Sequence, residues 1–377
     1  MKLAIDLVCT IKNSGTKTYN SHFLKYLSKL NQDDEITIYL CKEMFKSLSN
    51  NIKLNNNIKY EVKSDLLSIT IFRIFWMQFL LPLDLIKKNI EKLYSPMNFI
   101  PLFIKFFKIE TILCLHSNLP WVFFSKMPGN IFRKILTKYL MELSIKYCDK
   151  LIVNSNFAKH EISSLLDLKE KKINKVYLGV ANPLSFENQA IINKFDYKQN
   201  YVLSVISCAK YHNIKNLLLA YRDLLQNGSI KHKYVLVMQI LDWKYYNTLI
   251  KFISKNKLSK NIIIYNNLSS IYLPMLYKNS DLYIFSSYSE VFGLTSLEAM
   301  AHDCNVLISN TSSLPEINKD AADYFDPDNI DDIKQKIKIN LEDNVHINKL
   351  KKNAKKRLEV FSWKNTVNET LDIIKLK

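Results

Sequence analysis

A chain of 377 residues with 48% apolar and 23% charged side chains is too apolar to be disordered and too long for one hydrophobic core, so two domains of ordinary size are expected. Its 53 Lys and Arg against 35 Asp and Glu give a formal charge of +18, and residues 1–185 alone hold 27 basic against 15 acidic side chains. Such a field attracts an anionic membrane or a phosphorylated lipid, or serves solubility alone; nucleic acid is disfavoured because the charge is spread and no binding motif accompanies it.

The first strand is expected over KLAIDLVC, where Asp6 interrupts what could otherwise be a signal-peptide core. A loop, NSGTKTYN, and a helix over SHFLKYLSKL follow, then strands at EITIYLC, KLYS, TILCLH and KLIVNS, with a long helix over NIFRKILTKYLMELSIKYC. The most apolar stretch, residues 66–85, contains Arg73, Gln78, Pro82 and Asp84, too many interruptions for a membrane span. It reads either as a surface-seeking amphipathic helix or as a half-buried core helix. The six cysteines, Cys9, Cys41, Cys114, Cys148, Cys208 and Cys304, lack zinc or CxxC spacing and are expected as free thiols in a reducing cytosol.

Gly179 and Pro183 break periodicity, and a linker is placed at about 180–197. The strand series then restarts with YVLSVIS, YVLVMQI, NIIIYN, LYIFSS and NVLISN. Strands alternating with helices specify an α/β fold, here two doubly wound Rossmann-like domains facing a central cleft. The expected boundaries are 1–184 and 185–362, with a last helix at 363–377 packing back on the first domain through Trp363. Ligands should collect beyond the carboxyl ends of the strands.

Only five glycines occur, and neither GxGxxG nor GxxxxGK[ST] is present. Phosphate must be held another way. After LYIFSS comes YSEVFGLTSLEAMA, where Glu290 and Glu298 bracket Gly293 at a strand-to-helix turn. Gly293 lets backbone approach a ligand, and the N–H groups of Phe292, Gly293, Leu294 and Thr295 at the helix start suit a diphosphate. Glu298 is expected in the first helical turn, placed for ribose hydroxyls, with Glu290 nearer a donor sugar. The competing reading is a capping box in which Glu298 merely satisfies Thr295.

The whole string resembles the EX7E motif of retaining GT-B glycosyltransferases, the large family four group that includes lipopolysaccharide and capsule enzymes. VISCAKYHNIKNLLLAY is similar to that family's Arg-x4-Lys segment, with Lys210 in the Arg position and Lys215 in the Lys position. The resemblance implies that both clamp the donor diphosphate. NSGTKTYN resembles the family's Gly-rich loop, with Gly15 and Thr16 near the diphosphate and Lys17 where a second Gly is usual. His116, just past TILCL, matches the family's His that contacts donor sugar or acceptor. The Ser313–Glu316 turn is similar to the family's stretch at the donor mouth and also reads as a helix cap; Asp326-Pro-Asp328 reads as a turn and is assigned no metal.

By resemblance, the chain is a metal-independent, cofactor-free transferase that moves a sugar, with retention, from a UDP- or GDP-sugar to a glycan or polyprenyl-lipid-linked acceptor in surface-polysaccharide or lipopolysaccharide synthesis. It implies catalytic roles for Glu290, Lys210, Lys215 and His116, donor contacts from Gly15, Thr16, Phe292, Gly293, Leu294, Thr295 and Glu298, and a cytoplasmic location with peripheral contact to anionic membrane. The alternatives are an inactive GT-B scaffold or binding protein, and a nucleotide-sugar epimerase.

Overall fold

The computed structural model describes residues 1–8, 15–30, 34–49, 57–169, 172–180 and 200–376. Cys9, Pro183, the boundary at 184 and nearly all of the expected linker lie outside them. The chain divides into two compact units. One comprises Met1–Trp121, Ile131–Gly179 and Ser362–Lys377; the other comprises Val122–Asn130 and Val180–Phe361.

The first unit is built on a seven-stranded sheet in the order β3-β2-β1-β4-β5-β6-β7. In chain order the strands are β1 (Lys2–Asp6), β2 (Glu35–Cys41), β3 (Ile58–Lys63), β4 (Lys92–Ser95), β5 (Glu110–Leu115), β6 (Lys150–Val153) and β7 (Ile173–Lys175). Every pairing is parallel, with Ile5 opposite Ile38 on one side and Tyr94 on the other. The central strands are buried along nearly their whole length, as runs of Ile, Leu and Val covered by helices on both faces must be.

The second unit holds a six-stranded parallel sheet, β10-β9-β8-β11-β12-β13. Its strands are β8 (Tyr201–Cys208), β9 (Lys233–Ile240), β10 (Ile262–Asn266), β11 (Leu282–Phe285), β12 (Val306–Ser309) and β13 (Asp323–Phe325). Both sheets are doubly wound: the order reverses between β1 and β4 in the first and between β8 and β11 in the second.

The segment 66–85 is a half-buried core helix with an exposed apolar face. Helix runs from Thr70 to Lys87, widened over Trp76–Leu80, where the Leu81 N–H donates to Trp76 O. Pro82 lies in the next turn; lacking an N–H, it cannot continue the ordinary ladder, and a widened turn accommodates it. Trp76, Met77, Leu81 and Leu85 join the core beside β1 and β4, while Phe72, Phe75, Phe79 and Leu83 stay exposed. Arg73 ties this helix to the sheet through an ion pair with buried Asp6 at 2.6 Å. Among the described residues no helix is long and apolar enough to cross a membrane.

The last helix, Trp363–Lys375, belongs to the first unit. Trp363 is fully buried, stacked on His22 at 4.8 Å and edge-on to Tyr19 at 5.8 Å.

Candidate functional site

In the second unit, β8 and β11 are neighbours from which the chain departs to opposite sides, the place where an open parallel sheet leaves a crevice. Beyond β8 come a short turn, Lys210–His212, then Asn213 and the helix Ile214–Gln226. Asn213 takes left-handed backbone (φ 52°, ψ 33°), an Asn-tolerant conformation, and its amide donates to Pro327 O at 2.7 Å. Lys210 and Lys215 flank this turn, both exposed.

Beyond β11 come Glu290, Gly293 and the helix Leu294–Ala301. Gly293 has φ +84°, a left-handed conformation that favours glycine, and a Cβ there would press on the end of the Leu314 side chain at 2.4 Å. As the N-cap, Gly293 offers no side chain to the helix opening. The first turn therefore keeps its affinity for an anion.

The two carboxyl groups are held differently. The Glu290 backbone is pinned, its N–H donating to Ser312 Oγ at 2.9 Å and its carbonyl accepting the Ser313 hydroxyl at 2.8 Å. Burial pushes its carboxyl up to about 7, partly opposed by Ser287. His212 Nδ1 lies 3.6 Å from Glu290 Oε1. Burial also pushes the Glu298 carboxyl up to about 7, against the hydrogen bond that the Tyr277 hydroxyl donates to it at 3.1 Å. Tyr277 sits on the helix Leu273–Lys278, which packs against the Glu298 helix.

Several expectations are corrected by this geometry. The Thr295–Glu298 capping box does not form: Thr295 is already helical, and its hydroxyl oxygen accepts the Tyr283 O–H at 2.8 Å. Glu298 is the fifth helical residue and stands in the second turn. Ser313 does not cap the helix Leu314–Asn318 with its side chain, because its hydroxyl is engaged by Glu290 O. The turn expected at Asp326-Pro-Asp328 does form, Asp326 accepting the Asp328 N–H at 2.9 Å and Asp328 the Tyr288 hydroxyl at 2.5 Å.

Gly15, Thr16 and His116 lie in the first unit. Gly15 is the first residue of the helix Gly15–Leu27 rather than part of a loop, and a Cβ there meets nothing within 4 Å. His116 follows β5 directly, its N–H donating to Asn98 Oδ1 at 2.6 Å. The Asn154 amide donates to Val176 O, which turns its oxygen toward His116 Nδ1 at 2.9 Å. Nδ1 therefore carries the proton, and buried Nε2, without a partner among the described residues, is left as an acceptor. Burial pushes this imidazole down to about 4.

The structure thus brings Lys210, Lys215, Glu290, Phe292, Gly293, Leu294, Thr295 and Glu298 to one sheet end of the second unit, and Gly15, Thr16 and His116 to the other unit. Sequence reasoning missed His212, Tyr277 and Tyr283. His212 carried a signal, since it stands between the two singled-out lysines; the tyrosines read only as core.

Residues 185–357 match the model of the glycosyl transferases group 1. Serotype-specific mannosyltransferase WbdA of Escherichia coli is 24% identical over 271 residues, 70% of this chain and 33% of WbdA. O-antigen chain mannosyltransferase B of the same species is 27% identical over 233 residues, 60% of this chain and 61% of the relative. The chain spans less than two thirds of either relative's length. The solved structure of Anabaena HepE in complex with UDP and glucose matches with a TM-score of 0.76 at 15% identity, covering 100% of this chain and 99% of that one. WaaG, a glycosyltransferase involved in lipopolysaccharide biosynthesis, matches at 0.74 and 12% over 100% of both. The two doubly wound parallel sheets are those of the GT-B fold, and the second of them lies within the stretch that is similar to the glycosyl transferases group 1.

Proposed function

We propose that the chain transfers a sugar from a nucleoside diphosphate sugar to a hydroxyl of a glycan or polyprenyl-linked glycan, with retained anomeric configuration and without a divalent ion. One observation carries this reading: a helix opening at Leu294 without a side-chain cap, beside a glycine with left-handed backbone, stands with Lys210, Lys215 and two half-buried carboxyls where β8 and β11 diverge. Helix dipole, backbone N–H groups and two ammonium groups would stabilise charge growing on the leaving diphosphate, the largest catalytic contribution expected of such a site. Glu298 accepts hydrogen bonds from ribose hydroxyls, as it accepts one from Tyr277, and Glu290 orients the donor sugar. His116, with Nε2 bare, accepts a sugar hydroxyl proton.

Relatives named as mannosyltransferases, one of them an O-antigen chain mannosyltransferase, favour a hexose donor and a surface-polysaccharide acceptor. The first unit supports work at the cytoplasmic face of an anionic membrane. Phe75, Phe79 and Phe103 form a continuous exposed aromatic row with ring spacings of 5.3 and 6.0 Å, next to Lys105, which lies over Phe106 and Tyr147.

The test is transfer from radiolabelled GDP-mannose, UDP-glucose and UDP-galactose to polyprenyl-linked glycan, with and without EDTA, followed by proton NMR of the new linkage. Transfer unaffected by EDTA with the donor's anomeric configuration is expected. Loss of transfer on chelation, or an inverted linkage, would bring the mechanism down.

A further inference from the structure

His212 makes a buried polar contact to which the proposed reaction gives no role. It closes the turn after β8 and is only 6% exposed. Its N–H donates to Ala209 O at 3.1 Å, and its carbonyl accepts the Ser286 hydroxyl at 2.7 Å. The ring is packed against Tyr211 at 4.1 Å and Phe285 at 5.9 Å. These contacts fix Nδ1 at 3.6 Å from Glu290 Oε1, and buried Nδ1 has no hydrogen-bond partner at shorter range among the described residues. A buried nitrogen left in that state is costly, so its aim at a single carboxyl calls for a reason.

We propose that His212 is the positioning residue of Glu290, holding its carboxyl in one place in both protonation states. The functional half of this rests on the transferase reading; the pairing itself does not. A neutral imidazole has one protonated and one bare nitrogen and can exchange them. Facing a carboxylic acid, bare Nδ1 accepts the acid proton. Facing a carboxylate, Nδ1–H donates and Nε2 becomes bare. When the carboxyl titrates, its proton passes to Nδ1 and the Nε2 proton leaves to solvent, so the pair loses one proton, the ring changes tautomer and the Nδ1–Oε1 contact is kept.

The surroundings keep the two groups in these roles. Burial pushes Glu290 up to about 7 and His212 down to about 3, so the carboxyl titrates while the ring stays neutral. Burial above all, with the Glu290 charge adding to it, holds the phenols of Tyr211, on the same turn, and Tyr283, on β11, above their ordinary value. Lys210 begins the turn as a cation. Glu298 titrates in the same range but is bonded to Tyr277, so Glu290→Gln separates the two carboxyls. The 3.6 Å gap is slightly longer than a hydrogen bond, as catalytic contacts often are before a ligand fills the site.

The test reads the tautomer directly. The full chain, labelled with 15N-histidine and free of ligand, is titrated from about pH 5 to 9 while long-range proton–nitrogen correlations are recorded. His212 is expected to stay neutral and to exchange its protonated and bare nitrogens near pH 7; in Glu290→Gln the exchange disappears. An imidazolium forming near the ordinary histidine value, or one tautomer indifferent to Glu290→Gln, overturns the pairing. The second arm is turnover of GDP-mannose and UDP-glucose. His212→Leu should lower kcat about tenfold with KM nearly unchanged, while His212→Asn, whose amide reaches the Nδ1 position, recovers most of it. Equal losses in both variants, with the parent's pH profile, overturn the positioning role. A parent chain that uses neither donor counts against the transferase reading instead, and the titration still decides the pair.

Discussion

Gly179 and Trp363 meet backbone to backbone: a Cβ built on Gly179 would lie 2.1 Å from the Trp363 nitrogen and 2.6 Å from its Cγ. The seat of the last helix depends on that approach. Two residues upstream, the Tyr177 carbonyl accepts the Thr366 hydroxyl at 2.8 Å, and the indole fills the space beside Tyr19 and His22.

Gly179→Ala is therefore expected to destabilise the chain by at least about 2 kcal/mol, because rigid backbone rather than a flexible side chain must yield. Gly228→Ala is the comparison. Gly228 also has positive φ, +74°, but open space around it, so the cost there is the left-handed backbone alone, about 1 kcal/mol. Urea denaturation of both variants measures the difference. A Gly179→Ala loss no larger than that of Gly228→Ala would show that the Trp363 contact is not tight.

The carboxyls of Glu290 and Glu298 make stability fall with rising pH. Both titrate near 7 in the folded chain, above the value of about 4.5. Between these values the folded state binds more protons than the unfolded one, so this stability is fully present below the lower value and is lost as pH rises through the upper. Neutral isosteres escape the loss. Glu290→Gln and Glu298→Gln should each raise the melting temperature at pH 8 but leave it nearly unchanged at pH 4.5, a gain of about 1–3 kcal/mol at the higher pH. Both should also lose transfer, as charged groups kept at a functional site against stability do. Calorimetry at the two pH values is the check, and equal melting shifts at both would contradict the raised carboxyl values.

Lys210 and Lys215 offer the opposite combination. Both are exposed, and replacing an exposed lysine changes stability by no more than about 0.5 kcal/mol. Lys215→Ala and Lys210→Ala should nevertheless reduce kcat about 10²-fold each if they stabilise the leaving diphosphate. Circular dichroism melts and steady-state kinetics with GDP-mannose or UDP-glucose separate the two effects. Parent-like turnover in either variant removes that lysine from the site.

The sequence made most of this legible, and the misses have one physical pattern. Each long Ile-, Leu- or Val-rich strand was readable, because parallel strands buried on both faces are continuous apolar runs. The three unread strands, β3, β7 and β13, are all edge strands. β3, IKYEVK, alternates charge with apolar side chains, as a protected edge does, and β7 and β13 are three residues long. The helix opening at Gly293 was legible because glycine between an apolar strand and an apolar helix has few other uses. The carboxyl environments were not: Tyr277 lies 21 residues from Glu298, and His212 lies 78 residues from Glu290. Only the folded sheet, which sets β8 beside β11, brings the latter pair together.

Membrane contact gives the most demanding prediction, because it concerns side chains that fold stability does not need. Phe79 and Phe106 are exposed by 51% and 72%, so replacing them with Ser removes little packing and should leave the urea midpoint close to the parent's. A bilayer interface would cover them. Burying a phenylalanine fully contributes about 1.5–3 kcal/mol, and about half of that at an interface makes each worth about three- to tenfold in partitioning. The Phe79→Ser, Phe106→Ser double variant should therefore pellet at least about tenfold less with vesicles of phosphatidylglycerol and phosphatidylethanolamine. Raising salt from about 0.05 to 0.5 M should weaken parent binding as well, because screening shortens the reach of Lys105 and its basic neighbours. Equal pelleting of parent and double variant would assign the aromatic row to something other than lipid, and binding unchanged by salt would remove the electrostatic half of the attraction.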